Sequence, residues 1–463
     1  MEHLSHSSLQ PLTEGPFNLS TLPNEILSHI FHIGQGLHDE EAQPEPRIKP
    51  FEVLVSQICL HMRHTALHQP TLWSTIRLRP FSSYERIAEY LKRSAQTPLN
   101  IHIRSTSSIN QEKEIIPDAL LDLVLNHSLR WQSMSVAEGN SLVSRICNHP
   151  APSLRYLSLS VDEIEVAGIN AAVNMQSPKI FSNGTNDLRF IRLRGSALHL
   201  YRPRFNMVIT LHLEETKEIP LTYDDFRNIV LCSPFLANLS FYGDIIASSE
   251  RINRKNDLTL PALRSLRIYG VSGVVYASLL RAIKAPNLEA LTLKGLQEHD
   301  LDALQDMMED TKFQNLRYLK FCDFDVSVYT YETIMRIFEN ITYFCTPESF
   351  IFDSNLVRLL LDDSEEMGKV DIRWPSLKEV SFPSDEEKEE DEIELLDDLI
   401  NSRQNDGCAM RRVLFEVAVD DPRNRSSEDR KGVQIVYSSK QEGWPCSRNL
   451  REQDDLFAVG GLE

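Results

Sequence analysis

The sequence predicts an α/β fold in two parts: a small all-α module at the N-terminus, then an irregular solenoid with a parallel β-sheet on its concave side. Three observations carry this. Apolar residues recur at helical spacing between Leu22 and Ala66. From Trp131 onward, the pattern apolar-x-x-apolar-x-apolar returns repeatedly, at a near-constant interval between Leu236 and Ile341 and with insertions or degenerate copies elsewhere. The chain has 463 residues, too many for one ordinary compact core, so it needs several domains or an extended array.

Residues 1–20 are polar, rich in Ser, His and Pro, and read as a flexible leader. A helix is expected from near Thr21. Pro23 suits its first turn, where a missing N–H costs nothing, and Glu25 complements the helix dipole. Leu22, Ile26, Leu27, Ile30 and Phe31 form one apolar stripe, and Gly34 and Gly36 are expected to end the helix. After a polar, Pro-containing loop, Phe51, Leu54, Val55, Ile58, Cys59, Met62 and Ala66 predict a second, continuous amphipathic helix that Pro70 stops. Thr71-Leu72-Trp73-Ser74 opens a short turn, and Ile76 and Leu78 alternate as in a strand. Five large apolar side chains on the first helix represent a gross driving force of about 10 kcal/mol once buried. Two fates are open to them: packing against the following domain, or cover by a second protein.

The residues resemble a known module. Leu22-Pro23-Asn24-Glu25-Ile26-Leu27-Ser28-His29-Ile30-Phe31 is similar to the opening of an F-box, Leu-Pro-x-Glu-(Leu/Ile)-Leu-x-x-Ile-Phe. Val55-Ser56-Gln57-Ile58-Cys59 resembles its second helix, and Thr65-Ala66-Leu67-His68-Gln69-Pro70-Thr71-Leu72-Trp73-Ser74 resembles the ending common in fungal F-box proteins. Leu60 and Met62 depart from the usual Arg and Trp of Cys-Arg-x-Trp. The resemblance covers residues 21–79. It implies docking to the Skp-family adaptor of a cullin–RING (SCF-type) ubiquitin ligase through Leu22, Pro23, Ile26, Leu27, Ile30 and Phe31, with Val55, Ile58 and Cys59 on the second helix. Leu54, Met62 and Trp73 are assigned to internal packing.

Tyr84, Ile87, Ala88 and Leu91 then predict a short helix, and Leu99, Ile101 and Ile103 a strand. Beyond these the repeated pattern is read from Trp131, Met134 and Val136, and again from Leu154, Leu188, Val208, Leu236, Leu263, Leu288, Leu316 and Leu377 as first positions, with Met410 opening a weaker copy and Ile341 marking one more. First positions from Leu236 to Ile341 lie 27, 25, 28 and 25 residues apart, the period of leucine-rich repeats. Each strand buries its alternating side chains and a helix returns the chain. Tyr223, Phe226, Ile229 and Val230 fit one such helix, Leu301, Leu304, Met307 and Met308 another, and Ile334, Met335 and Phe338 a third. Pro152, Pro234, Pro261, Pro286 and Pro375 precede strands and are read as helix stops. The expected organisation is therefore a leader (1–20), an F-box-like module (21–80), a linking helix and strand (81–110), a repeat array (111–418) with an acidic insertion (384–394), and a loosely ordered tail (419–463) in which Val433, Ile435 and Tyr437 are able to add a strand.

Arg155, Arg189, Arg264, Arg317 and Lys378 are read as outward-facing, and Tyr156, Phe190 and Tyr318 are the candidate target-binding residues, since aromatics and Arg concentrate at interface hot spots. With 48 Lys and Arg against 67 Asp and Glu, the net charge is −19, which argues against general binding to nucleic acid or an anionic membrane. Seven Cys with no C-x-x-C spacing argue against a disulfide framework or a Cys-based zinc site, and neither a secretory signal nor a membrane span is read, so a cytoplasmic or nuclear chain is expected. His61, His64 and His68 read as exposed helix residues rather than metal ligands, and Asp224 and Asp225 as helix-start residues. No phosphate loop, nucleophile elbow or dinucleotide fingerprint is present. No catalytic residue, metal or cofactor is expected. The sequence reads as an interaction protein with two partners: the Skp-family adaptor and an unidentified target. The alternative is a repeat scaffold without a ubiquitin role, in which Leu60 and Met62 mark a lost adaptor site.

Overall fold

The computed structural model describes residues 22–41, 49–104, 116–137, 140–161, 180–181, 185–202, 204–215, 219–246, 258–269, 279–294, 313–322, 328–346, 354–361, 373–383, 390–417, 421–424 and 426–438. The helix expected around Leu301–Met308 lies outside them.

Strands lie side by side in chain order. They are β1 (Thr75–Leu78), β2 (Leu99–Arg104), β3 (Trp131–Ala137), β4 (Tyr156–Val161), β5 (Phe190–Gly195), β6 (Thr210–Glu214), β7 (Asn238–Tyr242), β8 (Leu258–Thr259), β9 (Ser265–Tyr269), β10 (Ile283–Lys284), β11 (Ala290–Lys294), β12 (Tyr318–Cys322), β13 (Tyr343–Cys345), β14 (Glu379–Pro383), β15 (Arg412–Glu416), β16 (Ser427–Arg430) and β17 (Val433–Ser438). β8 and β10 make a separate parallel ribbon, and the others form one sheet. That sheet is parallel except at its end, where β16 runs antiparallel to β17.

Register explains why so long a sheet holds together. Ile76, Ile101, Met134, Leu157, Ile191, Leu211 and Leu239 face one another across successive strands, and the ladder continues through Leu266, Leu291, Leu319, Phe344, Val380 and Val413 to Ile435. Every one of them is fully buried. A second ladder two residues on, from Ile103 to Phe415, is buried as well. No single repeat encloses its own aliphatic residues; the next repeat does.

The helices cover the ladder side. Phe226, Ile229 and Val230 of helix Tyr223–Leu231, and Ile334 and Met335 of helix Val328–Ile337, bury their apolar stripes there, as their spacing predicts. Ahead of the strands, Leu154, Val208, Leu236, Leu263, Leu288, Leu316 and Leu377 each donate their N–H to the carbonyl three residues back. Pro152, Pro234, Pro261, Pro286 and Pro375 occupy the second position of such turns, where a fixed φ near −65° is pre-formed. These prolines therefore aim the chain into the next strand, rather than serving as the helix stops expected of them. The third turn position ties repeats together: the Asn287 and Asn315 side chains each donate to the proline carbonyl of the preceding turn, at 2.8 Å.

The N-terminal helices depart from the expected boundaries in two places. α1 (Asn24–Glu41) runs through Gly34 and Gly36 instead of ending there. Gly34 is needed for packing: a Cβ at that position would lie 2.4 Å from the Phe51 ring, whereas one at Gly36 meets nothing. The expected single second helix is two, α2 (Phe51–Ile58) and α3 (Leu60–Leu67). They part at Cys59, whose backbone is extended and whose Sγ accepts the Met62 N–H at 3.4 Å, capping α3.

The division at residue 80 is also corrected. β1 is the first strand of the array, and Leu27 and Phe31 of α1 belong to the same continuous core as Ile435. The region expected to link two domains, α4 (Tyr84–Arg93) and β2, is itself a repeat, and the array extends past 418 to β17. At that end the last edge, Ser427-Glu428-Asp429-Arg430, is charged and exposed, which discourages further strand pairing. The hairpin turn uses left-handed Lys431 and Gly432, at φ 53° and 82°.

Gly34→Ala should lower the unfolding free energy by about 1–3 kcal/mol through overpacking against Phe51. Gly36→Ala should raise it by up to about 1 kcal/mol through helix propensity. Urea titrations of the two variants check this, and equal effects at both positions would remove the packing role of Gly34.

Candidate interaction surfaces

The stripe predicted on α1 splits between two faces. Leu27 and Phe31 point inward and are sealed in the core. Ile26, Ile30 and Ile33, one helical turn apart, point outward at 49%, 39% and 51% exposure. On the next helices Leu54, Ile58 and Leu60 are exposed too. Of the nine candidate adaptor-binding residues, Pro23, Ile26, Ile30 and Ile58 lie open, and Leu22 and Cys59 are half-buried. Leu27, Phe31 and Val55 are corrected to core residues, because their side of each helix is buried where α1, α2 and α3 pack on one another. Leu54 moves the other way, from expected interior to surface, while Met62 and Trp73 are buried.

A polar knot fixes this module to the first repeat. Glu52 is 2% exposed. Its carboxylate accepts from the Tyr90 hydroxyl of α4 at 2.7 Å and from the Gln35 amide of α1 at 3.3 Å. Gln35 also donates to the Leu72 carbonyl, and the Trp73 indole N–H to that of Ala66. Tyr90 meets Trp73 edge-on, and the Arg93 guanidinium lies 4.3 Å above the Trp73 ring. Burial, with the adjacent Glu52 charge, pushes the Tyr90 hydroxyl far above the ordinary phenol range, so it stays a donor. The exposed isoleucines are thereby held in a fixed orientation relative to the sheet.

The array offers its second face, opposite the buried ladders. Parallel strands sit about 4.8 Å apart, so like residues at one register stack. Tyr156 stacks on Phe190 at 4.2 Å, Tyr242 on Tyr269 at 4.5 Å, and Tyr318 on Tyr343 at 4.0 Å. Tyr156 and Tyr318 remain partly exposed. Phe190, only 6% exposed between the Tyr156 and His212 rings, is corrected from candidate target contact to packed residue. The basic residues read as outward-facing mostly tie neighbouring turns. Arg155 and Arg189 share Asp187, Arg264 pairs with Glu289, and Lys378 donates to the Ala409 carbonyl.

Sequence reading passed over the single position between the two buried residues of each strand. That position holds Arg192, His212, Arg267 and Lys320. Two residues along, Glu214 is fully buried and held by Arg192 at 2.9 Å and Arg194 at 3.4 Å. His212 is 1% exposed and neither ring nitrogen is hydrogen-bonded. Burial first, then the Arg267 and Arg192 charges, holds its pKa well below the ordinary imidazole value. Aligning the repeats on their leucines brings this polar column into view.

Elsewhere, the His64 and His68 rings lie 4.2 Å apart, tilted by 31°, and His61 bonds the Leu22 carbonyl. Among the described residues no group of three potential metal ligands converges. Asp224 and Asp225 sit in a helical first turn, where Thr222 caps the Asp225 N–H.

No family model matches this chain, and no curated protein matches it. Among solved structures, the leucine-rich repeat-containing protein LegL7 from Legionella pneumophila is similar at 13% identity, over 62% of this chain and 83% of that one, with a TM-score of 0.36. The period, the in-register parallel ladder and the helical return segments decide the architecture. This chain is a parallel-sheet repeat solenoid with the period of leucine-rich repeats.

Tyr90→Phe should cost about 1–3 kcal/mol, because it strips the buried Glu52 carboxylate of its shorter hydrogen bond. Chemical denaturation measures that. For His212, the unfolded chain takes up a proton near pH 6.5, and the folded chain only at much lower pH. The unfolded state therefore binds more protons in acid, and stability falls as pH drops below about 6.5. His212→Asn should flatten the decline between pH 7 and 5 by up to about 1.4 kcal/mol per pH unit, and an unchanged slope would contradict this.

Proposed function

We propose that this protein is the substrate-recognition subunit of an SCF-type cullin–RING ubiquitin ligase, holding a Skp-family adaptor with its N-terminal helices and a target with its leucine-rich repeats. The observation that carries the reading is the outer face of α1 to α3. Ile26, Ile30, Ile33, Leu54, Ile58 and Leu60 stay exposed although a continuous core lies directly beneath them. Exposed aliphatics gathered on neighbouring helices in this way mark interaction sites. Covering them is worth about 5–10 kcal/mol gross, enough to offset much of the cost of association. The F-box-like motif over residues 21–79 supports an adaptor as the partner.

The chain in this role performs no chemistry of its own. Its contribution is proximity: the polar knot at Glu52 sets where a target on the sheet lies relative to an adaptor on α1, and ubiquitin transfer takes place on other subunits. The adaptor and the target are its two partners, in the cytoplasm or nucleus, with no cofactor. One observation favours the broader reading of an interaction scaffold without a ubiquitin role. Leu60, where the motif usually has Arg, is 83% exposed and adds apolar surface in place of a charge.

Ile26→Asp and Ile30→Asp each set a carboxylate into the proposed interface without touching the core. Each should abolish capture of a Skp-family adaptor by the full-length protein while leaving its circular dichroism unchanged. Capture that survives both substitutions would contradict the adaptor role.

A further inference from the structure

The face of the sheet opposite the ladders carries a charge asymmetry that adaptor docking does not use. Along β5, β6, β7, β9, β11 and β12, the residues facing away from the ladders include five cations, Arg192, Arg194, Arg267, Lys294 and Lys320, and one carboxylate, Glu214. The chain as a whole carries −19. A positive strip thus lies within an acidic molecule. Glu214 is already engaged by Arg192 and Arg194. Arg267, Lys294 and Lys320 also interact with other groups of the chain. Arg267 and Lys320 are 3% and 5% exposed, so water screens their charge little. Arg192, Arg194 and Lys294 are partly open beside them.

A second feature marks the same strip. Both His212 nitrogens, Thr292 Oγ1 and Asn238 Oδ1 are buried without a hydrogen-bond partner. Buried polar atoms left unsatisfied cost stability, and these are free to bond a water or a group from outside the fold. Stacked Tyr242 and Tyr269, with Lys294 5.2 Å from the Tyr269 ring, border it with the amphipathic aromatic surface that interfaces favour.

We propose that the face from β5 to β12 takes an extended acidic segment of the target protein, its carboxylates set against Arg192, Arg194 and Lys294 and drawn by the field of Arg267 and Lys320. This rests on the reading of the array as the target-holding surface and adds the chemistry of what it holds. Charge complementarity selects the occupant. A nucleic acid long enough to cross the strip meets the repulsion of the acidic remainder, whereas a short peptide segment does not.

The test is fluorescence anisotropy with the full-length protein, using labelled short peptides of alternating Asp and Ser or Lys and Ser, and a single-stranded oligothymidylate. The acidic peptide should bind and the basic one should not, with affinity falling as salt is raised. Arg194→Gln with Lys294→Gln, both partly exposed, should weaken the acidic peptide about tenfold. Glu214→Gln, which removes the one carboxylate, should tighten it about threefold or more. Equal binding of the two peptides, tighter binding of the oligonucleotide, or indifference to both variants would overturn the proposal. Adaptor capture in the same preparations is read separately: its loss counts against the docking face and leaves the peptide result to judge the strip.

Discussion

The structure depends on one constraint, that no repeat of this chain closes its own core. Each strand offers two aliphatic or aromatic side chains, and only a neighbour at the same register removes them from water. The ladder from Ile76 to Ile435 is therefore a single cooperative object, fully buried along its length. Proline turns aim each strand into it, and asparagine and arginine side chains tie one turn to the next. An array of this kind needs an end. At one end a charged hairpin edge stops it; at the other, the N-terminal helices add Leu27, Phe31 and Val55 to the same continuous core.

That capping duty explains the inner apolar residues of the helices but not the outer ones. A helix that only capped the array would expose polar residues outward. A helix that only docked a partner would have no need of Leu27 or Phe31. α1 carries both kinds, with inner and outer apolar residues interleaved one position apart, as in Ile26 beside Leu27 and Ile30 beside Phe31. The knot of Gln35, Glu52, Tyr90 and Trp73 then makes helices and sheet one body, so that whatever sits on the isoleucines bears a fixed geometry to whatever sits on the strands.

Much of this was legible in the sequence. The strand leucines announced themselves by period alone, and every buried first position from Leu154 to Leu377 lies where the pattern put it. What periodicity could not resolve was direction. Ile26 and Leu27 are equally apolar, and a stripe wide enough to include both does not say which half faces the core. Cys59 looked like one more apolar residue in a continuous helix, because a break made by extended backbone with a thiol cap leaves no mark in hydropathy. Gly34 looked like a helix end because glycine usually is one; only the Phe51 ring beside it reveals a packing role. The polar column of Arg192, His212, Arg267 and Lys320 carries no mark in hydropathy, because its members lie one repeat or more apart and share a register only when the strands pair.

The account stands on the outer faces of α1 to α3 being surface that a Skp-family adaptor covers. Hydrogen–deuterium exchange of the full-length protein with and without purified adaptor tests this most directly. The account predicts new protection in peptides spanning residues 22–33 and 54–60, with exchange in the strands unchanged. Unaltered exchange across those helices at saturating adaptor would contradict it.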